Sequence, residues 1–91
     1  MHTTHSKEKL VLRARRLVGQ IKAIEQAIQN DKECHEVFHL LSACHGALNG
    51  LMSEVVEDHL LYHVLGPKGK VSPKQAEAAE QLMDVVKTYL H

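Results

Sequence analysis

Val37, Leu41, Cys44, Leu48, Leu51 and Val55 recur every three or four residues through a stretch, 32 to 64, that contains no proline. Such a repeat is a heptad seam on an α-helix. A helix of roughly 33 residues spans about 50 Å, longer than one compact 91-residue domain needs. The chain is therefore expected to be an obligate oligomer in which long seams pack as four-helix bundles.

Two shorter segments complete an all-α, three-helix protomer in a single domain, residues 1–91. Residues 6–29 space Leu10, Ala14, Leu17, Ile21, Ile24 and Ile28 by the same rule, with Ser6 as expected N-cap after a flexible arm at 1–5. Asn30-Asp31 is expected to end this helix and cap the next. Gly66-Pro-Lys-Gly-Lys70 breaks the second helix. The third, 72–90, opens with Ser72 as N-cap, Pro73 at the first helical position and Gln75 completing a capping box. It continues through Ala76, Ala79, Met83, Val86 and Leu90. No strand signal, repeat or low-complexity segment interrupts the pattern.

A composition that is 44% hydrophobic, with no Trp and one Phe, describes a soluble chain with an aliphatic core. No apolar run approaches the roughly 18 residues of a membrane span, and the polar N-terminus does not read as a signal peptide. A cytoplasmic protein is expected. Cys34 and Cys44 would sit about 15 Å apart on one helix, beyond bridging distance, so reduced thiols are expected. The net charge of zero hides segregation: Lys7, Lys9, Arg13, Arg15 and Arg16 crowd residues 7–16 beside one acid, Glu8, while Glu54, Glu57 and Asp58 cluster before His59. Eight histidines in this length favour metal or proton sensing.

His59 and His63 are i and i+4, neighbours on one helix face. Cys34 lies 25 residues earlier (59 − 34). It returns to within roughly 20° of that face but about 37 Å away along the axis. A site made of all three needs two copies. Antiparallel pairing of the helix with its twin supplies it, with the two-fold near Ala47 and Leu48 and a second site by symmetry. Gly46-Ala-Leu-Asn-Gly50 at that point offers small residues for a close backbone approach. Cys34 falls in the first turn of its helix, where unpaired amides favour an anionic sulfur. One thiolate and two imidazoles suit nickel, cobalt, zinc or copper, not magnesium or calcium. The plainer alternative is a small packing cysteine and two surface histidines. His2 or His5 on the arm can add a ligand, and His2 can chelate together with the terminal amine. Cys44 reads as core, His35 and His39 as surface, and His45 receives no role.

Lys9, Arg13 and Arg16 follow i, i+4, i+7 with Arg15 beside them. Such stripes are often solvated faces, but cations this dense and unmatched suit a phosphate backbone. No aromatic residue interleaves for base stacking, and no helix-turn-helix spacing occurs. Double-stranded DNA would be bound by a flat helical surface, through phosphates and shape. No nucleophile paired with a base, phosphate loop or carboxylate pair indicates an enzyme. The rival from another class is a helical metal-binding bundle that does not bind DNA.

Arg16-Leu-Val-Gly-Gln20, Glu33-Cys34, and Gly46-Ala-Leu-Asn-Gly-Leu-Met-Ser-Glu-Val55 followed by His59 resemble the copper-sensing and nickel/cobalt-sensing repressors of the CsoR/RcnR type. The resemblance covers nearly the whole chain. It implies a dimer built around the second helix, a disc-like tetramer as a dimer of dimers, and operator DNA bound without effector and released when metal occupies a shared Cys/His site. It adds Gln20 to Lys9, Arg13, Arg15 and Arg16 as a DNA-binding residue. Copper sensors of the family carry Cys, His, Cys, whereas His63 stands at the last position here. The nickel/cobalt pattern of an N-terminal His, then Cys, His, His maps onto His2, Cys34, His59 and His63. This implies Ni(II) or Co(II) as effector, with Zn(II) and Cu(I) as further candidates. A formaldehyde-sensing branch usually has Pro after Met1 and Glu at the last position, so aldehyde sensing ranks second. His45 stands where relatives often have Arg, and Lys32 where the nickel/cobalt type has His.

Overall fold

Three α-helices fill most of residues 4–61 and 71–89, the part of the chain that the computed structural model describes: α1 (Thr4–Gln29), α2 (Cys34–His59) and α3 (Pro73–Tyr89). The described residues contain no strand. The architecture is all-α, as the apolar spacing requires.

The helix ends depart from expectation in instructive ways. α1 begins at Thr4, ahead of Ser6. Ser6 is not a cap; its Oγ donates a 2.6 Å hydrogen bond to Asp58 Oδ1 and ties the start of α1 to α2. At the other end Asp31 is left-handed, with φ 55. The Lys32 N–H donates to the Ala27 carbonyl at 2.9 Å and the Asp31 N–H to that of Ile28 at 3.1 Å. This is the pair of bonds by which a left-handed residue closes a helix C-terminus, usually with Gly in that place. A short polar side chain such as Asp tolerates the conformation.

Asp31 therefore terminates α1 and does not cap α2. Glu33 holds that position, at φ −57 and ψ 145, with no side-chain cap bond. Cys34 thus becomes the first residue of α2. At its far end the Leu60 N–H reaches both the Val56 and Glu57 carbonyls, and Leu60 and Leu61 form a wider π turn. The expected continuation to residue 64 lies outside the described residues, as does Leu90 of the third helix. α3 carries its capping box in full. The Gln75 N–H donates to Ser72 Oγ at 3.1 Å, and the Ser72 N–H donates to Gln75 Oε1 at 3.0 Å.

α1 and α2 pack antiparallel. The seam of α1 that meets α2 runs through Leu10, Arg13, Leu17, Gln20, Ile24 and Ala27, of which Leu10, Ile24 and Ala27 are buried. Ala14, Ile21 and Ile28, expected in the same seam, are exposed. One heptad pattern thus serves two faces, and among the described residues α2 fills one of them. α3 packs on α2 through Ala79 and Met83 without touching α1.

The result is a sheet of helices. The molecule measures 53 × 27 × 13 Å, about one helix thick. Its radius of gyration of 16.7 Å exceeds the roughly 12 Å of a compact domain of this length. No side chain is fully buried among the described residues. Helices arranged this way leave large apolar side chains exposed among the described residues, Phe38, Leu41 and Leu48 of α2 and Ile21 and Ile28 of α1 among them.

Candidate functional site

Along α2, every position of the series Cys34, Phe38, Leu41, His45, Leu48, Met52, Val56 and His59 is exposed. Their spacings of three and four residues place them on one stripe of the helix. Apart from His45 the stripe is apolar through its middle, and it ends in a thiol and an imidazole. Cys34 and His59 stand at opposite ends, about 37 Å apart for 25 residues of rise. Among the described residues, no three His, Cys, Asp or Glu side chains come close enough to hold a metal ion. The donors are of the right chemistry for a borderline cation, and one chain does not bring them together. His2 and His63 lie outside the described residues. Cys44 is half-buried, as a seam residue would be, while His35 and His39 are exposed.

The second cluster lies where the N-terminal half of α1 crosses the C-terminal half of α2. Three contacts run along it in antiparallel order: Ser6 with Asp58, Lys9 with Glu54, and Arg13 with Glu54 and Gly50. Lys9 Nζ is 3.1 Å from Glu54 Oε1, and Arg13 Nε is 2.9 Å from Glu54 Oε2. The Arg13 approach is an ion pair without hydrogen-bond alignment, since Glu54 Oε2 is buried and accepts no hydrogen bond. The guanidinium lies over Gly50, where an added Cβ would come within 3.2 Å of Arg13 Nη1.

The expected DNA-binding residues therefore divide. Arg15 and Arg16 are exposed and make no ion pair among the described residues. Lys9 and Arg13 are held by α2. Gln20 is half-buried on the α2-facing side, with a buried Oε1 that accepts no hydrogen bond. Gly50 was expected to admit a second backbone, but its missing side chain makes room for Arg13 of the same chain. Gly46 opens onto space in the protomer.

The expected acidic cluster also changes character. Asp58 is buried and bonded to Ser6, and Glu54 sits between two cations, so neither is part of a free acidic surface. Sequence reasoning assigned no role to Ser6–Asp58 or to Glu54. Their signal was the segregation of charge itself: a basic first helix and an acidic end of the second find each other once the two run antiparallel.

A protein-family model described as metal-sensitive transcriptional repressor matches residues 6–88. A Serratia marcescens protein, described as the uncharacterized protein in the bioA 5′ region, is 39% identical over 90 residues, 98% of this chain and 97% of its own. The transcriptional repressor RcnR of Citrobacter koseri is 34% identical over 89 residues, again 98% and 97% of the two chains. Among solved structures, the formaldehyde-responsive regulator FrmR of Salmonella enterica serovar Typhimurium, in a variant with histidine for one glutamate, has a TM-score of 0.72. It is 32% identical, and the match covers 98% of this chain and 99% of that one.

Proposed function

The chain belongs to the metal-sensitive transcriptional repressor family, and from that premise we propose that it represses transcription by binding operator DNA in the apo form and is released by Ni(II) or Co(II). The metal is held between chains, by Cys34 of one protomer with His59 and His63 of its antiparallel partner, and His2 with the terminal amine closes the site. Arg15 and Arg16 face the duplex, and Lys9, Arg13 and Gln20, which the protomer turns toward α2, complete the DNA-binding set. The working unit is a tetramer, a dimer of dimers, in the cytoplasm. No helix among the described residues is long and apolar enough to cross a membrane.

One observation carries the reading: Cys34 and His59 terminate a single exposed apolar stripe on α2. Covering that stripe with a second, antiparallel copy buries the apolar residues and delivers the thiol to the imidazole in one step. When bound, the metal supplies a cross-link between the two ends of neighbouring long helices. By linkage, a metal that weakens DNA binding is itself held more weakly by the DNA-bound form, with couplings typically about 1–3 kcal/mol. The residues at Cys34, His59, His63 and His2 carry a soft anionic donor and nitrogen donors, which favours late first-row ions over magnesium and calcium.

A second reading is supported by the likeness to a formaldehyde-responsive regulator and by the exposure of Cys34 at the start of α2. An accessible thiol there can add to a small aldehyde without any metal. Titrating apo protein on its operator with nickel, cobalt, zinc, copper(I) and formaldehyde separates the two. Release by nickel or cobalt at the lowest concentration supports the proposal. Release by formaldehyde alone overturns it in favour of the second reading, and absence of any duplex binding at moderate salt leaves a metal-binding bundle.

A further inference from the structure

Glu54 neutralises part of the surface that the proposed function assigns to DNA. It is a single carboxylate facing two cations of the basic stripe, Lys9 Nζ at 3.1 Å and Arg13 Nε at 2.9 Å. Its side chain is 22% exposed, against 58% for Lys9 and 41% for Arg13. The acid is thus the fixed partner and the two cations the accessible ones. Nothing about the contact makes it permanent. Glu54 Oε2 lacks an aligned hydrogen bond despite the short approach of Arg13. Arg13 also borders an open groove lined by Gly46, Asn49, Ser53 and Glu57 of α2 and by Lys87 of α3, so its guanidinium has open space beside it into which it can turn from Glu54 without separating the helices.

From this arrangement we propose that Glu54 is an internal substitute for phosphate, holding Lys9 and Arg13 against α2 and so setting how many cations of each protomer reach the DNA backbone. The inference rests on the DNA-binding reading above and adds a residue to it. A carboxylate and a phosphate oxygen compete for the same donors on Arg and Lys. While Glu54 holds them, the stripe presents chiefly Arg15 and Arg16. A duplex that draws Lys9 and Arg13 away must leave the Glu54 charge behind, half-covered and unpaired, so the carboxylate lowers affinity even when it is displaced. Glu54 also stands one turn before Asp58 and His59 on α2. The clasp therefore joins the basic stripe to the end of the helix where effector is expected.

The test is Glu54→Gln, which keeps the shape and removes the charge. Operator affinity is measured by fluorescence anisotropy across a salt series, with helical circular dichroism as the check on folding. Each cation recruited to phosphate steepens the log–log salt slope by about 0.9 and tightens binding about 5-fold near ~0.15 M salt. For each engaged protomer, Glu54→Gln is therefore expected to tighten binding about 5- to 30-fold and to steepen the slope by about 1–2. A second variant guards against a folding defect. Glu54→Asp keeps the charge on a shorter arm that cannot reach both cations, and it is expected to fall between wild type and Glu54→Gln. Lys9→Ala is further expected to weaken binding more in the Glu54→Gln background than in wild type. Equal or weaker affinity of Glu54→Gln, with an unchanged or flatter slope, overturns the inference and makes the clasp a scaffold. Wild-type protein that binds no duplex DNA overturns the functional reading as well.

Discussion

Leu48 lies near the middle of the exposed stripe on α2 and retains 45% exposure in the protomer. If the stripe is the surface on which two copies meet, the remaining exposure is removed on pairing. Full burial of a Leu side chain is worth about 1.5–3 kcal/mol, so covering the exposed part contributes ~0.7–1.4 kcal/mol per protomer. Near a two-fold axis the residue counts twice, giving ~1.4–2.7 kcal/mol, or about 10- to 100-fold in the dimer Kd for Leu48→Ala. Sedimentation velocity over a dilution series measures that shift directly. Nickel affinity should fall with it and recover as protein concentration rises, because a shared site exists only in the assembled form. A Leu48→Ala protein that dissociates more readily yet binds nickel equally well at every protein concentration refutes the reasoning.

Other substitutions separate the parts. Cys34→Ala should bind operator as wild type does but fail to be released by nickel or cobalt in an anisotropy titration; release retained at wild-type concentrations contradicts the assigned ligand. Arg16→Ala should weaken operator binding about 5-fold near ~0.15 M salt and flatten the salt slope by about 0.9 for each lost phosphate contact. Ser72→Ala removes the hydroxyl that accepts the Gln75 N–H, so it should cost about 0.5–2 kcal/mol and lower Tm by several degrees with DNA affinity unchanged.

Local signals in this chain were the most legible. Ser72 and Gln75 specify a helix start through bonds to one another, with Pro73 between them at the first helical position, and both bonds form. Asp31 was less so, because an Asp before a helix reads as a cap whereas the same residue in a left-handed conformation ends the preceding helix. Periodicity located the apolar residues of α1 but not their partners. Leu10, Ile24 and Ala27 turn toward α2 while Ala14, Ile21 and Ile28 turn outward, a division that a repeat close to 3.5 residues cannot specify by itself. The distance between Cys34 and His59 follows from helical rise alone and was fully legible. The Glu54 clasp was not, since it depends on the register between α1 and α2, fixed by Ser6 with Asp58 and by the space above Gly50.

The central claim is that the site lies between chains, and complementation of two inactive variants tests it most directly. Cys34→Ala and His59→Ala are each expected to lose specific nickel binding. Unfolded together and refolded as an equimolar mixture, half of the dimers carry one of each. Such a dimer contains one site lacking both residues and one site that is intact, from Cys34 of the His59→Ala chain and His59 of the Cys34→Ala chain. Nickel binding by equilibrium dialysis should therefore return to about one quarter of the wild-type stoichiometry. A mixture that binds no more nickel than its separate components contradicts the shared site.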